Sequence, residues 1–300
     1  MSVRSIVTFV QPSDISQNRA ALDVALGWAS AFSARSVVLC FTVDVTGEAA
    51  ADEASNFSQT RAAISELADK AGVPATVVDR SSFAYGIGEI FADHMKVADL
   101  GILRGRRGPL TGERLLANAA LFDSGRPLVL VPQGASASPP RRALIAWDGT
   151  HAAARAMQDT LSLLAPGSEA IVARVTDDKA LRMDQSGIEA AHHLARHGIK
   201  AEFRELARNG REVYDTLVQA AQAAKCDLIA AGAIAAADDS RPPAVLPQAA
   251  NQPQHEGGLA AATDGQITDH DHRHRESTRV QGAAAVQPAT QACEQTEQPR

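Results

Sequence analysis

"RRALIAWDGTHAAARAM" (141–157) decides the fold, because it repeats the plan of "VRSIVTFVQPSDISQNRAA" (3–21). Both stretches carry a basic lead, an apolar run of strand length, a polar turn, and then small and apolar residues at helical spacing. A chain that starts the same plan twice is an internal duplication. The remaining elements are read outward from these two starts.

In the first copy, Leu22, Ala25, Leu26 and Ala29 mark a helix after the first strand, and "SVVLCFTV" (36–43) is a second strand. Phe57, Thr60, Ile64 and Leu67 line a second helix that Gly72 and Pro74 close, ahead of the strand "ATVVD" (75–79). Gly86–Ala98 is a third helix, "DLGIL" (99–103) a fourth strand, Glu113–Phe122 a short fourth helix and "PLVLV" (127–131) a fifth strand. Strands that are apolar along their length and alternate with helices imply crossover connections and a parallel sheet covered on both faces. The Ser/Pro/Gly-rich stretch 133–140 reads as a connection.

The second copy follows the same order. Met157, Thr160, Leu161 and Leu164 continue its first helix, "EAIVARV" (169–175) is strand two, and Ile188, Ala191 and Ala195 carry a helix that ends at Gly198. "KAEFREL" (200–206) is strand three, Val213, Leu217, Ala220, Ala221 and Ala224 line the third helix, and "CDLIAAG" (226–232) matches "ADLGILRG" as strand four. Beyond it, residues 236–300 hold six branched aliphatics in 65 positions and no aromatic. Such a composition buries too little apolar surface to offset chain entropy, so a disordered tail is expected. The resulting plan is α/β: a first domain over 1–134, a linker over 135–140, a second domain over 141–235 lacking its last helix and strand, and the tail 236–300. Two origins for the missing elements stand open: a second copy that became a scaffold, or a shift of reading frame near codon 233.

Composition narrows the function classes. The chain has 300 residues, 45% apolar and 21% charged, with only 4% aromatic, which predicts a soluble protein with a Val/Leu/Ile/Ala core. A net charge of −6 with no clustered Lys/Arg stripe argues against nucleic acid as a partner. No apolar run approaches the roughly 20 residues that span a bilayer. Cys40, Cys226 and Cys293 lie far apart with no CxxC pair and no secretory leader ahead of them, so free thiols in the cytoplasm are expected.

Two consecutive five-strand units, together with "ALIAWDGTHAAARAM", "CDLIAAGA" and "FDSGRPLVLVP", resemble tandem members of the universal stress protein family over roughly residues 1–235. That resemblance implies two tandem Rossmann-like domains of the adenine nucleotide α hydrolase-like kind and a non-catalytic role in stress response. It implies an adenine nucleotide, ATP foremost, as ligand. Nucleotide-binding members carry an Asp at the end of strand one and a G-x2-G-x9-G-[S/T] loop after strand four. The physical reason is that glycines let backbone N–H groups approach phosphates, while the carboxylate reads ribose or adenine.

The chain keeps these parts in pieces. In the first copy Gly105 and Gly108 satisfy G-x2-G, with Arg106 and Arg107 between them, but Asn118 and Ala119 stand where Gly and Ser/Thr belong. Gln11 stands near the place of the Asp. In the second copy Asp148, Gly149 and Thr150 are well placed and Gly232 takes the first glycine position, but Ala235 takes the next. The candidate nucleotide site is therefore Gly105, Arg106, Gly108, Asn118, Asp148, Gly149 and Gly232, with binding weak or lost. The bland alternative is that Gly105 and Gly108 turn a loop and Asp148 caps a helix.

Other motifs carry less. His270, His272 and His274 alternate in the tail without a second cluster. His193 and His197 have the i, i+4 spacing that suits a transition metal, but no Glu completes HExxH and His192 follows the apolar stripe. "YGIGEIF" has Phe91 in place of the third glycine of a dinucleotide fingerprint. An ATP-using adenylyl transferase or phosphohydrolase on the same architecture is the rival reading; it needs an SGGxD loop or HxGH motif, and neither occurs. A protein-interaction scaffold is the other. By resemblance the fifth strand is the edge through which such domains pair, so an unpaired Leu128–Val131 predicts a homo-oligomer, another protein partner or poor solubility.

Overall fold

The computed structural model describes residues 3–12, 15–43, 51–82, 86–105, 112–176 and 186–232. The first copy comprises β1 (Ser5–Val10), α1 (Ile15–Phe32), β2 (Arg35–Val43), α2 (Ala51–Ala71), β3 (Ala75–Ser82), α3 (Ile87–Lys96), β4 (Leu100–Arg104), α4 (Gly112–Asp123) and β5 (Leu128–Val131). The second comprises β6 (Arg142–Ala146), α5 (His151–Leu161), β7 (Glu169–Thr176), α6 (Ser186–Arg196), β8 (Lys200–Ala207), α7 (Val213–Ala223) and β9 (Leu228–Ala230).

Two all-parallel sheets result, in the orders β3-β2-β1-β4-β5 and β8-β7-β6-β9. The duplication read from residues 3–21 and 141–157 is thus real in three dimensions. β1 is buried from Ile6 to Val10, and its alternation serves both faces: Ile6 and Val10 join one apolar cluster while Val7 and Phe9 join another. The order reverses between β1 and β4, and again between β6 and β9, which opens a crevice at the carboxyl ends of those strands, the place where open α/β sheets take ligands. The tail and any last helix and strand of the second copy lie outside the described residues, among which the second sheet has four strands.

Both first strands are pinned in the same way. The Asp99 carboxylate, just before β4, accepts from the N–H groups of Arg4 (2.8 Å) and Ser5 (3.0 Å). Asp227, just before β9, accepts from Arg141 and Arg142 N–H, each at 2.9 Å. The start of a central strand has backbone donors beyond the ladder, and each copy supplies one carboxylate to satisfy two of them.

The stretch expected as a plain connection packs on α1. A Cβ on Gly27 would lie 2.3 Å from the Ala137 carbonyl oxygen, so only glycine lets the backbones meet. The Trp28 Nε1–H donates to the Ser138 carbonyl at 3.0 Å. One apolar cluster accordingly runs from Trp28 and Val129 to Met157, Leu164 and Val172, joining the two sheets. Helix α5 stops at Leu161, short of Leu164, because Ala165 precedes Pro166 and Gly167 follows with φ of +89°. Leu163 and Leu164 donate back to the Thr160 carbonyl and remain buried.

Candidate functional site

At the carboxyl end of β1, Gln11 N–H donates to Asn18 Oδ1 (3.4 Å) and Thr60 Oγ1 donates to the Pro12 carbonyl (3.0 Å), so the turn into α1 is tied to α1 and α2. Arg104, last residue of β4, crosses the crevice and donates to the Gln17 side-chain oxygen (2.8 Å) and carbonyl (3.2 Å). Gly105 N–H donates to the Val131 carbonyl at 2.8 Å. It extends the β4–β5 ladder, and a Cβ there would find only ordinary contacts at 3.5 Å. Asn118 lies half-buried inside α4, in a helical turn rather than a loop. Arg106, Arg107 and Gly108 lie outside the described residues.

The second copy brings its candidates together. Gly149 turns the chain at φ of +71°, a left-handed conformation that favours glycine. The Asp148 Oδ1 then accepts from Thr150 N–H (3.0 Å) and Thr150 Oγ1 (2.6 Å). Thr150 is the N-cap of α5, accepting from Ala153 N–H at 3.2 Å. Asp148 therefore braces the cap rather than being it. Trp147 holds the neighbouring wall: its N–H donates to the Ala173 carbonyl and its Nε1–H to Ser186 Oγ at the start of α6 (3.1 Å). Gly232 closes the set, since a Cβ on it would stand 2.6 Å from the Ala152 carbonyl carbon and 2.8 Å from Ala153 N. Glycine is needed there so that the strand end can lie against the first turn of α5, not for a left-handed turn.

A cavity of about 320 Å³ lies beside this site, between β5 and the pair α5–β9. Leu128, Leu130, Ile229 and Ala156 give it an apolar lining, and Arg126, Arg155 and Asp159 stand at its polar side. Burial pushes the Asp159 carboxyl above its ordinary range, against the opposing pull of Arg155 and Arg126. Carbonyls of Pro127 and Val131 point to β4, so the strand period of two aims the backbone groups of Leu128 and Leu130 outward, toward the cavity.

The two described thiols offer no ready nucleophile. Burial pushes Cys40 up to about 12 and Cys226 up to about 11, keeping both protonated near neutrality; Cys293 lies outside the described residues. Among the described residues no group of three or more His, Cys, Asp or Glu could hold a metal ion. The sequence reading missed the Asp99 and Asp227 clamps, although "ADL" and "CDL" carried the signal by repeating at strand four. It also missed the Arg104 crossing, for which a single sequence holds no signal.

No family model matches the chain, and no curated protein matches it. Solved structures do. A universal stress protein from Archaeoglobus fulgidus DSM 4304 superposes with a TM-score of 0.58 at 15% identity, over 76% of this chain and 86% of that one. A functionally unknown protein from Pseudomonas aeruginosa PAO1 gives 0.47 at 14% identity, over 79% and 84%. A universal stress protein in complex with cAMP gives 0.33 at 20% identity, over 43% of this chain and 97% of that one. With two all-parallel α/β sheets and this superposition over most of both chains, the chain has the fold of the universal stress proteins in tandem form.

Proposed function

We propose that this protein is a non-catalytic, cytoplasmic stress-response protein in which adenine-nucleotide binding is weak or lost and protein association carries the role. The observation that supports this most is the engagement of the groups a nucleotide would use. Gly105 N–H is held in the β4–β5 ladder, Asp148 Oδ1 is held by Thr150, and Gly232 is pressed against α5. A phosphate would have to displace the Gly105 bond, and a ribose hydroxyl would share the Asp148 carboxylate with Thr150, so both engagements subtract from affinity. Asp148, Gly149 and Gly232 form the better residual site, with Gly105, Arg106, Gly108 and Asn118 the weaker one.

Association would run through the edge of β5, where the backbone groups of Leu128 and Leu130 face the apolar cavity that α5 and β9 wall on its other side, so a partner strand would enter between them. A second copy or another protein could pair there. No described helix is long and apolar enough to cross a membrane. The test of the non-catalytic reading is direct: the full chain is incubated with ATP and magnesium while nucleotides and phosphate are followed by chromatography. No turnover above a protein-free blank is expected, and ADP or AMP formation proportional to protein would overturn it.

A further inference from the structure

His193 in the last turn of α6 and His197, one residue past its end, fit a role that the fold does not need. His193 is half-buried and His197 exposed, and among the described residues neither ring enters a hydrogen bond or ion pair. Their ring centroids stand 4.8 Å apart with planes inclined at 60°. A metal held about 2.1 Å from an imidazole nitrogen lies about 3.2 Å from that ring's centroid, so two rings on one ion stand about 4.5 Å apart at a right angle and about 5.2 Å at the tetrahedral angle. The observed separation falls between the two, before any metal arrives.

The helix beneath is firmly seated. Gly187, Ala190, Ala191 and Leu194 are buried, and a Cβ on Gly187 would strike the Phe203 ring of β8. The end is fixed as well: His197 N–H donates to the Leu194 carbonyl (3.0 Å), and Gly198 leaves the helix at φ of +79°. His193 therefore projects from the last turn and His197 from the closing turn just beyond it, where the carbonyl end of the helix favours a cation. Glu189, one turn earlier, pairs with His192 at 3.6 Å and adds a carboxylate to the same helix.

We propose that His193 and His197 form a two-histidine chelate for an exchangeable first-row transition-metal ion, Cu2+, Ni2+ or Zn2+, with water completing the coordination. Imidazole suits these ions, and the ordinary affinity order places Cu2+ above Ni2+ and Zn2+. Two protein ligands make the site exchangeable, unlike a closed structural zinc centre.

The test titrates the full chain with Ni2+ and with Cu2+ in a His270→Ala/His272→Ala/His274→Ala background, which removes the alternating histidines near the carboxyl terminus. One ion per chain is expected. His193→Ala and His197→Ala should each weaken it at least about tenfold, since even second-shell partners of metal ligands are worth ten- to hundredfold, while His192→Ala should leave it unchanged. With His197 exposed and His193 only half-buried, far-UV circular dichroism should show each variant folded. Electron paramagnetic resonance of the Cu2+ form should show two coordinated imidazole nitrogens, falling to one in either single variant. Absence of binding, or binding that survives both substitutions, would overturn the proposal.

Discussion

Replacing Gly27 by Ala separates the tertiary account of α1 from its intrinsic helix propensity. In an exposed helix the change stabilises by about 1 kcal/mol, because Ala loses less backbone entropy. Here the new methyl would lie 2.3 Å from the Ala137 carbonyl oxygen and 3.0 Å from the Ala137 Cβ, so the segment joining the two sheets must move off the helix. Overpacking of this kind costs about 1–3 kcal/mol. The shift also breaks the bond from Trp28 Nε1–H to the Ser138 carbonyl, adding about 1 kcal/mol. The propensity gain offsets about one of these, leaving a net loss of about 1–3 kcal/mol and a melting temperature several degrees lower. Urea denaturation followed by tryptophan fluorescence measures it. A variant more stable than the parent by about 1 kcal/mol would refute the close approach of the connection to α1.

Other perturbations test the rest of the framework. Thr8→Val should stabilise by about 1 kcal/mol in the same urea assay, since the Thr8 hydroxyl is fully buried in β1 without a partner. Asp99→Ala and Asp227→Ala should each destabilise by about 1–3 kcal/mol by leaving two strand-start N–H groups unpaired; equal urea midpoints for variant and parent would argue against the clamps. Cys40 and Cys226 should resist a thiol reagent in the native protein at pH 8. Their folded values of about 12 and about 11 lie above the ordinary 9.0, so the stability tied to them is complete below pH 9 and declines as pH rises from 9 toward 11 for Cys226 and toward 12 for Cys40. A Cys40→Ala/Cys226→Ala chain should lose less stability than its parent over that window.

The fold was legible because burial leaves a pattern in the residues. Runs such as Ile6–Val10, apolar but for Thr8, and Ala143–Ile145 are buried on both faces, as covered parallel strands require, and Leu22, Ala25 and Ala29 keep the period of α1. The site was legible as a list of residue types but not as an arrangement. Gly105 matches a phosphate-loop position, yet whether its N–H faces a ligand or the Val131 carbonyl depends on how far the β4–β5 ladder runs. A gap of nine residues after Gly108 leads to Asn118, and only the start of α4 at Gly112 places that residue inside a helix. Gly232 and Gly27 owe their identity to the approach of a distant backbone, which no local pattern records.

The central claim is that nucleotide binding has become weak or absent, and a thermal-shift titration of the full chain with ATP, ADP and cAMP, with and without magnesium, tests it most directly. The account predicts that millimolar nucleotide stabilises by no more than about 0.4 kcal/mol, the effect of a ligand at its own Kd. Stabilisation of about 2.7 kcal/mol, the effect of a ligand at a hundred times its Kd, and its loss in Asp148→Ala, would contradict the account and place a working site in the second copy.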